Sequence, residues 1–408
     1  MDDLEPIFKD LHDGKAVILL DEHREGEGDL MVAAEKITEK HVAFMLNDAR
    51  GFVCLSIRDS LRKHLGIPMM VQQNTEAFQT PFCVNVSAKN GGSGTSAHDR
   101  VAAIRLILDP ATKPEDIAQP GHLHVLSARN DGVLERMGQT EASADLAELA
   151  GLQPAAVICE IMNPDGTMAS VAQLKRYGQK HRLKTVTVEQ VLDYRRVHQK
   201  LVQPTASARL PTASGEFRIH TYRALGDKTE TVVLVKGRPN GNAPLVRVHS
   251  ECLTGESFHS QRCDCDAQLD ESLARIQDDA YGILIYLRQE GRGIGLENKI
   301  KAYVLQDAGR DTVEANVELG FAPDLREYWV AAQILKDLGA RRVRLMTNNP
   351  EKIKGLKRHG ISVVRRVSIE TPITPHNAAY LETKKRKMKH VLHGQAPASR
   401  SDSLCPSD

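Results

Sequence analysis

A break in the apolar pattern between residues 202 and 215 constrains the fold of this chain more than any other feature. On both sides of it, short apolar runs alternate with amphipathic stretches, which predicts interleaved strands and helices. Inside it, Pro, Ser, Thr, Ala and Gly replace that pattern, as in a linker between domains. We therefore predict an α/β (α+β) protein with two mixed α/β domains, at 1–198 and 208–392, joined by a Pro/Ser/Thr/Ala linker at 199–207.

Composition narrows the class of protein. A chain of 408 residues is long enough for two domains that each bury a core. The formal net charge of +1 gives no general attraction to nucleic acid or to a membrane. No apolar run approaches the roughly 20 residues of a membrane span, and the acidic start lacks the apolar core of a signal peptide. Seven cysteines are too few for a disulfide framework at this length, so we expect a reduced, cytoplasmic protein.

Secondary structure was predicted from apolar periodicity in each half. In the first half the predicted strands are 16–20, 82–87, 104–108 and 156–160, and the predicted helices are 35–49 and 188–201. In the second half the predicted strands are 217–223, 231–236, 245–249, 282–287 and 343–347, and the predicted helices are 268–278, 298–307 and 327–338. The basic run at 384–389 is interpreted as a solvated helix face rather than a nucleic-acid site. The polar tail at 393–408 is predicted to be disordered.

Three cysteines of the second half, Cys252, Cys263 and Cys265, fall within 14 residues of one another. Thiolates at this spacing suit Zn²⁺, which prefers tetrahedral sulfur and nitrogen ligands. A closed structural site needs four protein ligands, whereas a catalytic site supplies three and leaves one position open. The spacing alone leaves two alternatives, an open catalytic site or a structural site with His249 or His259 as the fourth ligand.

Two segments that follow predicted strands have the composition of anion-binding turns. Residues 288–295 read Arg-Gln-Glu-Gly-Arg-Gly-Ile-Gly, and such glycines let backbone N–H groups approach a phosphate. Residues 345–352 carry Thr347 and Lys352 next to an Asn-Pro turn. Each segment alone is equally compatible with an ordinary turn. Asp324 is similarly open to a structural interpretation, as the N-cap of the helix that follows it.

Taken together, five runs of the second half resemble GTP cyclohydrolase II over about residues 208–392. The runs are Arg247-Val-His-Ser-Glu-Cys-Leu-Thr-Gly, Arg262-Cys-Asp-Cys, Arg288-Gln-Glu-Gly-Arg-Gly-Ile-Gly-Leu, Asp311-Thr-Val-Glu-Ala-Asn and Leu345-Met-Thr-Asn-Asn-Pro. The resemblance implies a riboflavin biosynthesis enzyme that converts GTP to 2,5-diamino-6-ribosylamino-4(3H)-pyrimidinone 5′-phosphate, formate and pyrophosphate. It also implies that the three cysteines hold a catalytic Zn²⁺ and that Mg²⁺ accompanies GTP.

The same resemblance assigns roles to individual residues. It implies that Asp324 is the proton acceptor, that Arg326 is the nucleophile and that Tyr303 lies in the site. Side-chain chemistry offers another role for Arg326, a clamp on the α-phosphate, because a guanidinium with a pKa above about 12 is normally a charged donor. The implied GTP contacts are Arg247, Val248, His249, Ser250, Glu251, Gln268, Glu290, Gly291, Arg292, Thr312, Thr347 and Lys352.

An acidic turn in the first half carries Arg24, Glu25, Glu27 and Asp29. Its carboxylates could surround a hard divalent cation while Arg24 holds a phosphate, and a solvated turn is the alternative. Residues 6–198 resemble 3,4-dihydroxy-2-butanone 4-phosphate synthase. The runs that carry this are Arg24-Glu-Gly-Glu-Gly-Asp, Ser96-Ala-His-Asp-Arg, Pro120-Gly-His, Thr140-Glu-Ala-Ser-Ala-Asp-Leu and Ile158-Cys-Glu-Ile-Met-Asn-Pro-Asp-Gly-Thr-Met.

This second resemblance implies formation of 3,4-dihydroxy-2-butanone 4-phosphate and formate from ribulose 5-phosphate, with Mg²⁺ or Mn²⁺. Glu25 matches a metal ligand, and Cys54 matches a cysteine of the site. The other implied site residues are Arg24, Asp29, His122, Arg136, Thr140 and Glu160. At Gln139, however, the family has its second metal ligand, a histidine.

Further departures cluster near the same site. Leu20 precedes a single Asp21 where the family has paired aspartates, and His23 stands where an acid is usual. The threonine-rich loop is shortened at 90–95, and His124-Val125 replaces a Phe-Pro pair. We therefore predict that the first domain folds but is inactive or weak, with a fully bifunctional enzyme as the alternative.

A different class of function would be a non-catalytic GTP-binding regulatory protein. The intact set of Tyr303, Asp324 and Arg326 argues against it, because a protein that only binds GTP needs no such set. The expected partners are GTP, ribulose 5-phosphate if the first domain is active, and a second copy in a homodimer. Neither nucleic acid nor a membrane is expected to bind.

Overall fold

The computed structural model describes residues 4–22, 24–226 and 229–391, so His23 and the predicted tail at 393–408 lie outside the described residues. The chain divides into two compact units, Met1–Gln199 and Lys200–Asp408. Each unit has one mixed seven-stranded sheet with helices, which confirms the prediction of two mixed α/β domains. Within the described ranges, no helix is both long enough and apolar enough to cross a membrane.

The first unit alternates strands and helices throughout. Its strands are β1 (Val17–Asp21), β2 (Glu27–Ala33), β3 (Cys54–Arg58), β4 (Val86–Ala88), β5 (Ile117–Ala128), β6 (Ala155–Glu160) and β7 (Thr185–Thr187). Its helices are α1 (Glu5–His12), α2 (Glu39–Phe44), α3 (Asp59–His64), α4 (Ala97–Leu108), α5 (Gln139–Leu149), α6 (Val171–His181) and α7 (Val188–His198). The sheet order is β4-β5-β3-β6-β2-β1-β7.

Burial explains why the central strands of this sheet form. Every residue of β1 and β3 is buried, as expected for strands covered on both faces. Strands β2 and β6 pair antiparallel in a register that sets Asp29 opposite Glu160. Strand β3 pairs with the other edge of β6 and begins at Cys54. Three polar or acidic side chains of the predicted synthase site therefore lie at one end of neighbouring strands.

Three sequence predictions in the first unit differ from the structure. The strand predicted at 104–108 is the last part of α4, which Ser96 caps by accepting the N–H of Asp99 at 3.1 Å. The helix predicted at 35–49 is divided into a 3₁₀ turn, α2 and a π turn that ends at Arg50 with φ 72°. Of the strand predicted at 82–87, only the end belongs to β4. Short apolar runs do not distinguish a strand from a buried helix segment, which explains the error at 104–108.

The second unit begins with a β-meander and continues with parallel strands. Its strands are β8 (Val202–Thr212), β9 (Gly215–Ala224), β10 (Glu230–Gly237), β11 (Leu245–Ser250), β12 (Tyr281–Leu287), β13 (Arg342–Met346) and β14 (Ser362–Val367). Its helices are α8 (Leu253–Glu256), α9 (Cys265–Asp278), α10 (Gly295–Asp307), α11 (Thr312–Glu318), α12 (Trp329–Asp337), α13 (Pro350–Arg358) and α14 (Ala378–Arg386). The sheet order is β14-β13-β11-β12-β10-β9-β8.

The order of the parallel strands determines where a ligand can bind. Strand β11 pairs in parallel with β12 on one side and with β13 on the other. The chain therefore crosses back over β11 between β12 and β13. In open α/β sheets, such a reversal leaves a crevice at the carboxyl ends of the strands. The segments that follow β11, β12 and β13 contain most of the predicted GTP contacts.

The segment predicted as a linker requires a correction. Residues from Val202 onward form β8, the edge strand of the second sheet, which pairs antiparallel with β9 from Val202–Ala224 to Thr212–Gly215. Proline is compatible with a strand at a sheet edge because its missing N–H would face away from the neighbour. The strand is mostly exposed, so its composition is polar and small. Only residues 199–201 lie between α7 and β8.

Candidate active site

The three cysteines of the second unit converge. Cys252 follows β11, and Cys263 and Cys265 lie at the start of α9, with all three Sγ atoms within 4.8 Å of one another. The Sγ atoms of Cys252 and Cys263 are 3.7 Å apart, and all three cysteines are free of disulfides. A Cβ on Gly255 would lie 2.9 Å from the Sγ of Cys263, so only glycine fits beside the cluster. Three convergent soft ligands fit Zn²⁺.

Neither histidine proposed as a fourth ligand joins this cluster. The Nε2 of His249 is 2.7 Å from the Oε1 of Glu256, whose other carboxylate oxygen accepts a hydrogen bond from Tyr286. The Nδ1 of His259 is 2.9 Å from the Oδ2 of Asp266, and that imidazole is 74% exposed. The metal-ligand cluster found in the described part of the chain thus contains three thiols. This count favours the open site over the closed structural one.

Lys299 of α10 lies beside the cysteines, although it is not among the site residues predicted from the sequence. Its Nζ is 3.2 Å from the Sγ of Cys252, 2.9 Å from the Oγ1 of Thr254 and 2.7 Å from the Oε1 of Glu290. Hydrogen bonds from Cys263 and Cys265 lower the pKa of Cys252 against the effect of burial, and Lys299 lowers it further. Because Lys299 and Tyr303 are spaced to share one face of a helix, the predicted role of Tyr303 could have indicated Lys299 as a site residue.

Two adjoining cavities open at the carboxyl ends of the parallel strands. We call the first the cysteine cavity; its lining includes Cys252, Cys263, Cys265, Glu251, Glu290, Gly291, Arg292, Tyr303, Thr312, Arg326 and Tyr380. We call the second the cationic cavity; it is lined by Arg247, His249, Ser250, Cys265, Gln268, Arg292, Arg326, Thr347, Asn348, Asn349, Lys352, Tyr380, Lys384, Met388 and His390. The structure therefore brings nearly all the predicted GTP contacts to two cavities that share lining residues. Val248 is the exception, because its side chain is buried in β11.

The cationic cavity contains polar groups without protein partners. The buried Arg247 Nε, Ser250 Oγ, Asn349 Nδ2 and His390 Nε2 make no hydrogen bond. Lys352 is buried as well, and its Nζ donates to the carbonyl of Val248 at 2.8 Å. Burial, followed by the charges of neighbouring arginines, lowers its pKa well below the ordinary value. Because unpaired buried polar groups cost free energy, this lining suits an anionic, hydrogen-bonding ligand.

The glycine-containing loop after β12 has left-handed backbone at consecutive residues. Gly291, Arg292 and Gly293 have φ values of 61°, 65° and 91°. At Gly291, a Cβ would also lie 3.0 Å from the Cβ of Lys299. The loop directs Arg292 toward Thr312, whose hydroxyl and carbonyl accept its guanidinium N–H groups. This conformation places Arg292 and Thr312, which are both predicted GTP contacts, on the wall of the cysteine cavity.

Asp324 does not cap a helix, which corrects the structural interpretation of that residue. Helix α12 begins later, at Trp329. The carboxylate of Asp324 accepts two hydrogen bonds from Arg326, from Nε at 2.8 Å and from an Nη at 2.6 Å. Burial lowers the pKa of Arg326, but Tyr328 and Asp324 outweigh that effect and raise it above the ordinary value. The guanidinium is thus held, charged, against both cavities.

In the first unit, the predicted acidic residues crowd together. Asp29 is 3% exposed and its Oδ1 has no hydrogen-bond partner. Burial raises its pKa well above the ordinary value, and the charges of Glu160 and Glu25 raise it further. Glu160 accepts the N–H of Phe52 at 2.8 Å. Cys54 is buried, and burial followed by Glu160 and Asp29 raises the pKa of its thiol. Crowded carboxylates of this kind favour a bound cation.

The remaining basic and polar residues of this site are held individually. Arg24 lies 3.9 Å from Glu25 and over the ring of Phe78. Arg136 forms a 2.5 Å ion pair with the fully buried Glu141, while its Nε has no partner. Burial, followed by the charge of Asp21, raises the pKa of Glu25.

Gln139, at the position of the missing histidine, begins α5 and is buried. Its Nε2 donates to the carbonyl of Leu19 at 3.1 Å, so the amide oxygen is the atom left to act as a ligand. The next residue, Thr140, accepts the hydroxyl of Ser56 through its carbonyl at 2.7 Å. His122 is exposed on β5, and its backbone N–H donates to Ser87 at 3.0 Å.

Comparisons with known proteins agree with this division of the chain. The profile of the 3,4-dihydroxy-2-butanone 4-phosphate synthase family matches residues 5–194, and that of the GTP cyclohydrolase II family matches residues 203–368. The riboflavin biosynthesis protein RibBA of Aquifex aeolicus is 50% identical over 395 residues, covering 95% of this chain and 97% of the relative. The chain belongs to the RibBA family of riboflavin biosynthesis proteins.

Two other relatives extend the comparison. A probable bifunctional riboflavin biosynthesis protein of Oryza sativa, RIBA 2, is 49% identical over 398 residues, or 95% of this chain and 72% of the relative. The solved structure of RibBX from A. baumannii, a two-domain 3,4-dihydroxy-2-butanone 4-phosphate synthase, is 32% identical. It aligns with a TM-score of 0.67 over 91% of this chain and 100% of its own.

These findings bear on the predicted loss of the first activity. The synthase profile matches nearly the whole first unit, and relatives of similar length match both units. The chain therefore carries both a synthase domain of a lyase family and a GTP cyclohydrolase II domain. The comparisons favour the fully bifunctional alternative over a degenerate first domain.

Proposed function

We propose that the second unit is a zinc-dependent GTP cyclohydrolase II. It would convert GTP to 2,5-diamino-6-ribosylamino-4(3H)-pyrimidinone 5′-phosphate, formate and pyrophosphate. The observation that carries this proposal is the junction of two cavities, one lined by three convergent thiols and the other by five cationic side chains. The purine base of such a nucleotide would occupy the cysteine cavity, and its triphosphate would occupy the cationic cavity.

In this proposal the cations of the second cavity bind the polyphosphate. Arg247 and Lys352 are buried, and Gln268 holds Arg247 by accepting its Nη2 N–H at 2.6 Å. Charge-assisted hydrogen bonds from such fixed donors are stronger than neutral ones. Mg²⁺ would accompany the nucleotide, because it commonly binds phosphate oxygens and retains several waters.

The three cysteines would hold Zn²⁺, which when bound supplies a Lewis acid that activates water for attack at C8 of the purine. Around that position, Lys299 fixes Cys252, Thr254 and Glu290. The hydroxyls of Tyr303 and Thr254 are 3.1 Å apart, so Tyr303 is oriented within the same hydrogen-bonded group. These contacts keep the reacting end of the cavity rigid, as an active site requires.

Arg326 would stabilise charge on the α-phosphate while pyrophosphate leaves. Its guanidinium donates two hydrogen bonds to the carboxylate of Asp324 and has a raised pKa, so it remains protonated. A protonated guanidinium is a donor without a free electron pair. The geometry therefore supports the clamp role of Arg326 over the nucleophile role that the family resemblance implies. Asp324 then acts by orienting Arg326.

For the first unit we propose the synthase activity on ribulose 5-phosphate, so that the chain is bifunctional. Glu25 would hold Mg²⁺ or Mn²⁺, and the carbonyl oxygen of Gln139 would take the place of the imidazole nitrogen. A cation held by few protein ligands is usual for Mg²⁺, which retains water and binds the substrate's oxygens. The unpartnered buried oxygens of Asp21 and Asp29 lie in the same acidic turn and strand.

The test is to assay both half-reactions on the purified full-length protein. Formate release from GTP with Zn²⁺ and Mg²⁺ would support the cyclohydrolase, and retention of unaltered GTP would favour a regulatory binding protein. Formation of 3,4-dihydroxy-2-butanone 4-phosphate from ribulose 5-phosphate with Mg²⁺ or Mn²⁺ would support the synthase. Absence of that product at saturating metal would support an inactive first domain.

A further inference from the structure

The segment 371–391 follows the end of the matched cyclohydrolase profile at residue 368, yet it forms part of both cavities. Tyr380 of α14 lines the cysteine cavity and the cationic cavity alike. Lys384, Met388 and His390 line the cationic cavity. The composition of the basic run at 384–389 predicts a solvated helix face. For Lys384 that interpretation is wrong, because its side chain is only 12% exposed.

A buried ion pair connects this segment to the metal-binding loop. The Nζ of Lys384 is 2.7 Å from the Oδ1 of Asp264, whose side chain is 3% exposed. In the sequence, Asp264 is the residue between Cys263 and Cys265. The other oxygen of Asp264 accepts the amide N–H of Gln268 at 2.6 Å. Gln268 in turn accepts an N–H of Arg247 at 2.6 Å. A continuous chain of polar contacts therefore links α14 to a predicted GTP contact.

Further contacts hold the second half of the segment. Lys387 is paired with Asp311 and with Glu314, at 2.7 Å from the latter. The backbone N–H of Val391 donates to the carbonyl of Asn348 at 2.9 Å. The ammonium of Lys384 also lies 4.3 Å from the centre of the Tyr380 ring. These contacts keep Tyr380 and Lys384 at the cavity wall rather than in solvent.

The charge of the cationic cavity indicates what the segment does. Its charged lining consists of Arg247, Arg292, Arg326, Lys352 and Lys384, with no acidic side chain among the described lining residues. An ammonium has three donors, and Asp264 accounts for one of those of Lys384. His390 adds an unpartnered Nε2. A buried ion pair alone is weak evidence for a stabilising role, so the pair of Lys384 and Asp264 is better explained by a role of Lys384 in ligand binding.

We propose that the segment 371–391 completes the nucleotide site and that Lys384, with Tyr380, binds and positions the phosphate groups of the nucleotide. Asp264 holds Lys384 in place, and the remaining donors of its ammonium face the cationic cavity. This proposal rests on the proposed cyclohydrolase function and adds a polyphosphate contact from beyond the matched family region.

The test compares Lys384→Met with Lys385→Met in the full-length, zinc-loaded protein. Lys385 is the adjacent residue of α14 and is exposed, so its substitution is the matched control. For Lys384→Met we expect the KM for GTP and the inhibition constant of pyrophosphate to rise about tenfold or more, with kcat within about threefold. Guanosine, which has no phosphate, should inhibit as before. Lys384→Arg should recover most of the loss, and Lys385→Met should behave as wild type.

Three results would overturn the proposal. One is a Lys384→Met protein with the wild-type KM and pyrophosphate inhibition. Another is an equal weakening of inhibition by pyrophosphate and by guanosine. The third is a loss of bound zinc that parallels the loss of GTP affinity. Either of these last two results would indicate a purely structural role of Lys384. If Lys384→Met does not fold, Tyr380→Phe applies instead, and unchanged pyrophosphate inhibition contradicts the proposal. Should the wild type release no formate, the proposed function fails, whereas calorimetric binding of pyrophosphate still tests Lys384.

Discussion

The two candidate metal sites of this chain differ in how far the protein alone completes them. In the second unit, three thiols meet within 4.8 Å, and Lys299 and Gly255 fit closely around them. In the first unit, crowded carboxylates leave two oxygens unpaired, and an amide stands where the family has an imidazole. A soft ion needs its ligands pre-assembled, whereas a hard ion shares its ligands with water and substrate. Substitutions should therefore affect the sites unequally.

The largest effect is expected for Cys263→Ser. Loss of one of three thiolates should remove the zinc and lower GTP turnover by at least about 10³-fold, because metal activation supplies several kcal/mol. The synthase reaction of the first unit should be unchanged. Zinc analysis and formate release provide the measurement, and Cys83→Ala, at a buried free cysteine of the first unit, is the control. Retention of zinc and turnover would contradict the metal assignment.

A smaller effect is expected for Arg326→Lys. A lysine cannot reproduce the paired hydrogen bonds with Asp324, so we expect kcat to fall about 10²–10³-fold with zinc content unchanged. Arg209→Lys is the control, because Arg209 makes the same kind of paired hydrogen bonds, to Glu216, at an exposed position outside both cavities. Single-turnover kinetics gives the measurement. Full turnover would exclude both roles of Arg326, and trapping of a phosphoramidate in the wild type would restore the nucleophile role.

The Lys299→Met variant tests how strongly the protein surrounds its zinc ligands. Loss of the ammonium beside Cys252 should weaken zinc binding about 10–100-fold, which is typical for outer partners of a metal site. Competition with a chromophoric chelator measures this. Lys301→Met, which breaks an exposed pair on the same helix, should leave zinc affinity unaltered. Equal affinities for the two variants would show that Lys299 does not support the site.

The smallest effect is expected in the first unit, for Gln139→Ala. If the amide oxygen replaces the imidazole, its removal should weaken Mn²⁺ binding about tenfold, and Gln139→His should bind at least as tightly as wild type. Electron paramagnetic resonance of the zinc-loaded protein measures bound Mn²⁺. Gln153→Ala, at an exposed position, is the control. Unchanged Mn²⁺ affinity would mean that Gln139 has no part in the metal site, which would revive the inactive-domain hypothesis.

The sequence predicted the buried parallel strands well. Strands β11 and β12 are buried at nearly every position, so each reads as one continuous apolar run, and their bounds differ from the predictions by a residue or so. The predicted GTP contacts lie within β11 or in segments that follow β11, β12 and β13. Their convergence could be anticipated, because ligands bind at the carboxyl ends of parallel strands. Prediction failed at β8, where an exposed edge strand has the composition of a linker.

Side-chain pairing accounts for the other failures, one of them local and one of them long-range. Asp324 was open to interpretation as a helix cap, but its partner is Arg326 in an irregular segment. Lys384 stands in a basic run and is nevertheless buried against Asp264, 120 residues away. Local sequence carries no signal for a partner at such a distance. The helical spacing between Lys299 and Tyr303 could have identified Lys299 as a site residue only once Tyr303 had been assigned to the site.

The pairing of β8 with β9 has a practical consequence for dividing the protein. A fragment that begins at residue 208, as composition suggests, would lack half of the outermost strand. The outer hydrogen-bonding groups of β9 would then be unpaired near Tyr222 and Ala224, which are 2% and 3% exposed in the intact unit. Exposed strand edges promote self-association. An independently expressed cyclohydrolase fragment should accordingly begin at residue 200, and shorter versions should precipitate or form oligomers.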